Sequence, residues 1–215
     1  MVDETRVVYD SADNEVISKL QPSEKPSVVL TFDDGPGRHL HSILDSLAKE
    51  NAKAAFFWQT RLLYPERPWE RVLDEGHIIG THSSRHKNMA ALSCEDQYKD
   101  LETSKEKIRQ VTGKAPVFFR PPFGQYNEAT LKAANELELI PVMWRIASLD
   151  WELKGNPEKI ICNVTDHLED GAIILLHELK QTADILPELL KEIKLKGYSF
   201  ASLQPGKNER KAPGA

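Results

Sequence analysis

"VVLTFDDGPG", residues 28–37, sets two adjacent carboxylates, Asp33 and Asp34, at the end of an apolar run and halts the chain with Gly-Pro. Neighbouring carboxylates repel, and an apolar strand end is a costly place for uncompensated charge. The stretch reads either as an ordinary turn, since Asp-Gly and Gly-Pro are common turn chemistry, or as a site that needs both acids. Successive side chains of an extended segment point in different directions. One acid is then free to bind a cation while its neighbour faces a reacting water.

The run VVLTF (28–32) is apolar without alternation, as expected of a strand buried on both faces of a parallel sheet. Six further runs follow: AAFFW (54–58), HIIGTH (77–82), VFFR (117–120), IPVMW (140–144), AIILLH (172–177) and SFASL (199–203). Helical patterns separate them. Asn127 and the Asn156-Pro157 pair are helix-start signals, and Ser93 with Asp96 resembles a capping box. Gly76, Gly113 and Gly197 stand where a helix needs a left-handed C-cap. Seven strands joined by helices predict an α/β fold, either a barrel or an open doubly wound sheet. The reading places one domain at residues 27–204, a peripheral extension at 1–26 and a polar tail at 205–215.

The unusual polar residues fall near the ends of these runs. Asp33 and Asp34 follow the first, His82 closes the third with His86 beyond it, and Arg120 closes the fourth. Asp150 follows the fifth, and His177 closes the sixth. In a parallel barrel the C-terminal strand ends share one face, where loops build the active site. Residues far apart in the chain then converge.

The chain has 215 residues, a formal net charge of -5, 40% hydrophobic and 28% charged residues, which suits a soluble globular protein. The acidic balance argues against a nucleic-acid or anionic-membrane surface. No stretch approaches the ~20 apolar residues of a membrane span. Residues 1–20 lack the basic and apolar regions of a secretory signal. Cys94 and Cys162 show no CxxC spacing and are expected to be free thiols. Asn163 opens an NVT triplet inside a helical pattern, and no role is assigned to it.

Taken singly, each motif has an ordinary explanation. On a helical turn, His82 and His86, four apart, would share one side and could ligate one metal. No HExxH glutamate accompanies them, so a third ligand must come from elsewhere, and a strand-end carboxylate would serve. Arg120, between two aromatics and Pro-Pro, suits a structural salt bridge equally well. A lone strand-end histidine such as His177 is commonly a satisfied core residue.

In order, however, TFDDGP (31–36), HSSRH (82–86), RPPFG (120–124), SLDW (148–151) and ILLH (174–177) resemble the five motifs of the polysaccharide deacetylase family. These are the carbohydrate esterases of family 4, which share the NodB homology domain. The resemblance implies a distorted (β/α)7 barrel with its active site at the C-terminal strand ends. By similarity, Asp34, His82 and His86 bind one divalent metal, most often zinc, with cobalt or another divalent ion as alternatives. Asp33 matches the general base, Arg120 the arginine that positions it, and His177 the general acid, held by Asp150. The backbone N–H of Phe123 matches an oxyanion donor, Trp151 lines the acetyl pocket, and Pro121 joins the substrate-binding set.

The implied reaction is metal-dependent removal of N-acetyl groups from an N-acetylglucosamine-containing polysaccharide, either peptidoglycan or a chitin-like oligomer, with release of acetate. A wall polymer implies work outside the cytoplasm; a cytoplasmic location and the oligomeric state stay open. So do an O-deacetylase or small-amide hydrolase on the same scaffold, and a carbohydrate-binding relative without turnover. Four positions depart from the family pattern. Ala147 replaces an acid, Arg145 a small polar residue, Trp58 a small aliphatic and Thr81 an asparagine. They are expected to disturb substrate positioning, cleft shape or the support behind the metal ligands.

Overall fold

The computed structural model describes residues 7–11 and 13–205. Its strands are β1 (Ser27–Gly35), β2 (Ala54–Trp58), β3 (Ile78–Thr81), β4 (Phe118–Phe119), β5 (Ile140–Pro141), β6 (Ile146–Ala147), β7 (Ile173–His177) and β8 (Ser199–Phe200). Between them lie helices α1 (Leu40–Lys49), α2 (Trp69–Asp74), α3 (Cys94–Thr112), α4 (Glu128–Glu136), α5 (Pro157–Thr165) and α6 (Lys180–Leu195). The sheet runs β5–β4–β3–β2–β1–β7–β6 with every neighbour parallel, while β8 pairs with the start of β1. It curls into a distorted (β/α)7 barrel, open between β5 and β6.

Two cores explain the apolar runs without alternation. On the outer face, Phe32, Phe56 and Trp58 join the cluster formed with Ile43, Leu44 and Leu47 of α1 and Leu186, Leu189 and Leu190 of α6. On the inner face, Val29, Ala55, Phe57, Phe118 and Ile173 form a second cluster. Strands covered on both sides need no polar face. The helix signals act as expected. Ser93 Oγ accepts from the Asp96 N–H and donates to its carboxylate, and Asn127 forms a capping box with Thr130. Asn156 caps Lys159 N–H, and Gly113 closes α3 at φ 74°.

Two expectations need correction. The run 140–144 does not make one strand. Val142 N–H donates to Phe119 O, Met143 N–H to Ile17 O and Arg145 N–H to Ile173 O, so the backbone changes partners residue by residue and β6 forms as an eighth strand. Residues 7–11 and 13–20 are not a peripheral extension. They strap the open seam through bridges of Val8 to Ile146, Ile17 to Val142 and Lys19 to Ala172, and Val7 and Val16 are buried. Backbone groups at a barrel gap need partners, and this strap supplies them. Of the polar tail, residues 206–215 lie outside the described residues, as do 1–6 and 12. Cys94 and Cys162 are free and exposed, as expected. Asn163 is buried and donates to Ser148 O.

Candidate active site

The two acids of β1 separate because the strand breaks its register between them. Asp33 stays in line, paired with Phe57 of β2 and His177 of β7, and is buried. Asp34 takes a left-handed φ of 65°, which Asp tolerates better than most residues. Its Oδ1 lies 3.4 Å from His86 Nε2 and 3.8 Å from His82 Nε2. Gly35 has to follow, because a Cβ there would fall 1.8 Å from the buried Glu178 carboxylate.

The histidines come from the loop after β3, which is not a helical turn. Ser83 and His86 adopt φ of 66° and 56° and fold the loop back, bringing the two ring centroids to 4.8 Å. Ser83 Oγ accepts from His86 N–H, and Asp100 accepts from Ser84 N–H, which holds the fold-back. His82 Nδ1 lies 2.7 Å from Arg120 O. A carbonyl only accepts, so Nδ1 carries a proton and Nε2 is the ring atom turned towards Asp34, available to a cation held between them.

Arg120 is wholly buried beneath the site. Its guanidinium donates to Asp33 Oδ1 and Thr31 Oγ1, each at 2.8 Å, and to the carbonyls of Met143 at 2.8 Å and Val142 at 3.2 Å. It also lies 4.3 Å from the centre of the Phe57 ring. Across the cleft, His177 Nδ1 and N–H each contact the buried Asp150 carboxylate at 2.7 Å. Asp150 Oδ2 also accepts from Thr182 Oγ1, and its carbonyl accepts from Gln181 Nε2. His177 Nε2 therefore faces Asp34, 4.0 Å from its Oδ2.

Opposing forces set the charges. Burial works against a charged His177, but the Asp150 charge and hydrogen bond, with Asp33 and Asp34 beyond, outweigh it and raise its pKa. Burial and then His82 lower the pKa of His86, which favours the neutral ring a ligand requires. Burial would raise the Asp34 carboxyl; the three imidazoles and a hydrogen bond from Gln59 outweigh that and hold it low.

The cleft has a volume of about 380 Å³. Eight of the ten predicted residues line it: Asp33, Asp34, His82, His86, Pro121, Phe123, Trp151 and His177. Arg120 and Asp150 lie fully buried behind these. Phe123, at φ 59°, sets its ring 4.4 Å from that of His86, and Trp151 lies 4.9 Å from His177. Trp144 and Leu175 also line the cleft and were not anticipated. The sequence signal for Trp144 is an aromatic at the end of an apolar run, a pattern that by itself marks only a strand.

The departures fall elsewhere than expected. Trp58 is buried in the core and donates through Nε1 to Glu178 at 2.7 Å, so it does not reshape the cleft. Arg145 binds Asp10, Glu169 and Tyr9 O, and Ala147 N–H donates to Val7 O; both serve the strap. Thr81 Oγ1 donates to Ser104 of α3, away from the ligands. Support for His82 comes from Arg120 O.

The donor set fits a metal. One carboxylate oxygen and two imidazole nitrogens, from Asp34, His82 and His86, lie within 4.8 Å of one another. Tetrahedral zinc with bonds near 2.0–2.1 Å separates its ligand atoms by about 3.4 Å, close to the spacings around Asp34 Oδ1. Three protein ligands match the open arrangement of catalytic sites.

The family model described as polysaccharide deacetylase matches residues 20–142. The chain belongs to the polysaccharide deacetylase family. Among curated members, it is 35% identical over 192 residues to a peptidoglycan-N-acetylglucosamine deacetylase of Bacillus cereus, covering 85% of this chain and 68% of that protein. It is 31% identical over 190 residues to the peptidoglycan-N-acetylmuramic acid deacetylase PdaA of Bacillus subtilis, covering 84% and 71%. Among solved structures, a family 4 pseudoenzyme from Bacillus anthracis superposes with a TM-score of 0.78 at 27% identity, covering 86% of this chain and 66% of that one. Membership of the polysaccharide deacetylase family thus fixes the fold, and activity must be argued from the site.

Proposed function

We propose that this protein is a metal-dependent deacetylase that hydrolyses the N-acetyl group of N-acetylglucosamine units in peptidoglycan, at the cell wall. The observation that carries the reading is the Asp34–His82–His86 triad set between a buried Asp33–Arg120 pair and a His177–Asp150 pair, in one cleft. A module that only binds sugar needs neither a base nor an acid.

A divalent cation held by the triad, zinc suiting two imidazoles and one carboxylate, would supply Lewis acidity and would lower the pKa of water. Arg120 occupies Asp33 Oδ1, which leaves Oδ2 to take the proton of the attacking water. Phe123 N–H stabilises the oxyanion that forms on the acetyl oxygen as water adds to the carbonyl carbon. His177, its Nδ1 held by Asp150, donates its Nε2 proton to the departing amine. An amine leaves poorly without that proton. Trp151 and Trp144 bound the acetyl end of the cleft with apolar surface. Acetate and a free amino sugar result.

Two variants test the assignment. Asp33→Asn is expected to abolish acetate release while one zinc per chain is still bound, and His82→Ala to weaken zinc binding sharply. Substantial turnover by the first, or unchanged zinc binding by the second, would contradict the roles given.

A further inference from the structure

The carboxylate of Asp34 projects from a strained turn, and something must hold its direction. Trp58, which ends β2, and the three residues that follow it, Gln59, Thr60 and Arg61, lie between this turn and the histidine loop. On one side, Gln59 N–H donates to Gly35 O at 3.0 Å. On the other, Trp58 O accepts from His82 N–H at 2.9 Å, Thr60 N–H donates to Ser83 O at 3.2 Å, and Arg61 N–H donates to Ser84 O at 3.1 Å. This segment joins both halves of the triad. The Trp58 side chain reinforces the link: its Nε1 donates to one oxygen of Glu178 while Gly37 N–H donates to the other, which pins the far side of the turn.

One side chain of the segment reaches a triad residue directly. Gln59, buried, donates from Nε2 to Asp34 Oδ1 at 2.6 Å and accepts through Oε1 from Arg61 Nε at 2.8 Å. These partners leave no ambiguity in the amide, because a carboxylate only accepts and a guanidinium only donates. Turning the amide over would set oxygen against oxygen and N–H against N–H.

We propose that Gln59 is a positioning residue for the metal site: its amide, oriented by Arg61, holds the Asp34 carboxylate in the rotamer that faces His82 and His86. This deepens the metal reading and rests on it. Oδ1 keeps a second lone pair for a cation, and a neutral donor orients the oxygen without adding positive charge beside the cation. The family resemblance assigned no role to this position.

A positioning role separates from a structural one because Arg61 is exposed and the Asp34 side chain is 37% exposed, so both regain water if the amide is lost. Gln59→Leu keeps similar bulk and removes the hydrogen bonds. Its zinc dissociation constant, measured by chelator competition, is expected to rise ~10–100-fold, as for lost partners of metal ligands. The melting temperature of the metal-free variant should stay at the wild-type value. Arg61→Ala, at an exposed position that does not threaten folding, should weaken zinc in the same direction but less. Asp34→Ala is the control. If Asp34→Ala loses zinc while Gln59→Leu and Arg61→Ala stay within about twofold of wild type, Gln59 does not position the ligand and the metal reading survives. If Asp34→Ala binds zinc normally, the metal reading falls and this inference with it.

Discussion

Replacing Arg120 with methionine isolates the electrostatic frame beneath the site. Methionine fills most of the vacated space and can rest on Phe57, so the loss falls mainly on hydrogen bonds and charge. Four acceptors lose their donor: Asp33 Oδ1, Thr31 Oγ1 and the carbonyls of Val142 and Met143. Thr31 keeps its own bond to Ile174 O at 2.6 Å. Removing one partner of a buried ion pair costs ~3–5 kcal/mol, and orphaned buried carbonyls push the sum towards the upper end. We expect Arg120→Met to lose about 5 kcal/mol in urea unfolding of the metal-free protein. At ~2–4 °C per kcal/mol for a chain of this size, the melting temperature falls by ~10–20 °C. Adding Asp33→Asn removes the stranded charge, and the double variant should recover about 2 kcal/mol of that loss while remaining inactive. A single variant within about 1 kcal/mol of wild type, or a double variant no more stable than the single, would refute the buried-pair argument.

Glu178 gives a pH dependence. Burial, opposed by the Gly37 and Trp58 hydrogen bonds, raises its pKa from 4.5 to about 7. The folded chain binds this proton more tightly than the unfolded one, so the contribution is complete below 4.5 and is lost as pH rises through about 7. The stability difference between wild type and Glu178→Gln should therefore shift against wild type by up to about 3 kcal/mol between pH 4 and pH 8; a constant difference would contradict the assignment. Val7→Ala tests the strap. It removes two buried methyl groups and should cost ~2 kcal/mol in urea unfolding, whereas a peripheral segment would show no change. His177→Ala should slow an N-acetyl substrate far more than an O-acetyl one, because an alkoxide leaves with less help than an amine; equal losses in acetate release would argue against His177 as the acid.

Much of the site was legible because its chemistry sits at strand ends. Apolar runs without alternation marked parallel strands, and Asp33, His82, Arg120 and His177 each closed or followed one of them. What stayed hidden depended on backbone geometry and on partners distant in the chain. The spacing of His82 and His86 suggested a helical turn, yet left-handed Ser83 and His86 achieve the approach in a loop. Val7 and Ile17 looked peripheral, because an irregular segment that closes a barrel seam carries no periodic pattern. Gln59, Thr182 and Trp144 act on residues they meet only after folding. Arg145 and Ala147 hold the strap through Asp10, Tyr9 O and Val7 O, partners that no local pattern around positions 145–147 announces.

The most direct test of the account is acetate release from an N-acetylglucosamine oligomer, comparing zinc-loaded protein with the same protein stripped by chelator and then reloaded. The account predicts release that stops on stripping and returns with zinc. A sample carrying one zinc per chain that releases no acetate would contradict it and would place this protein with the pseudoenzymes of its family.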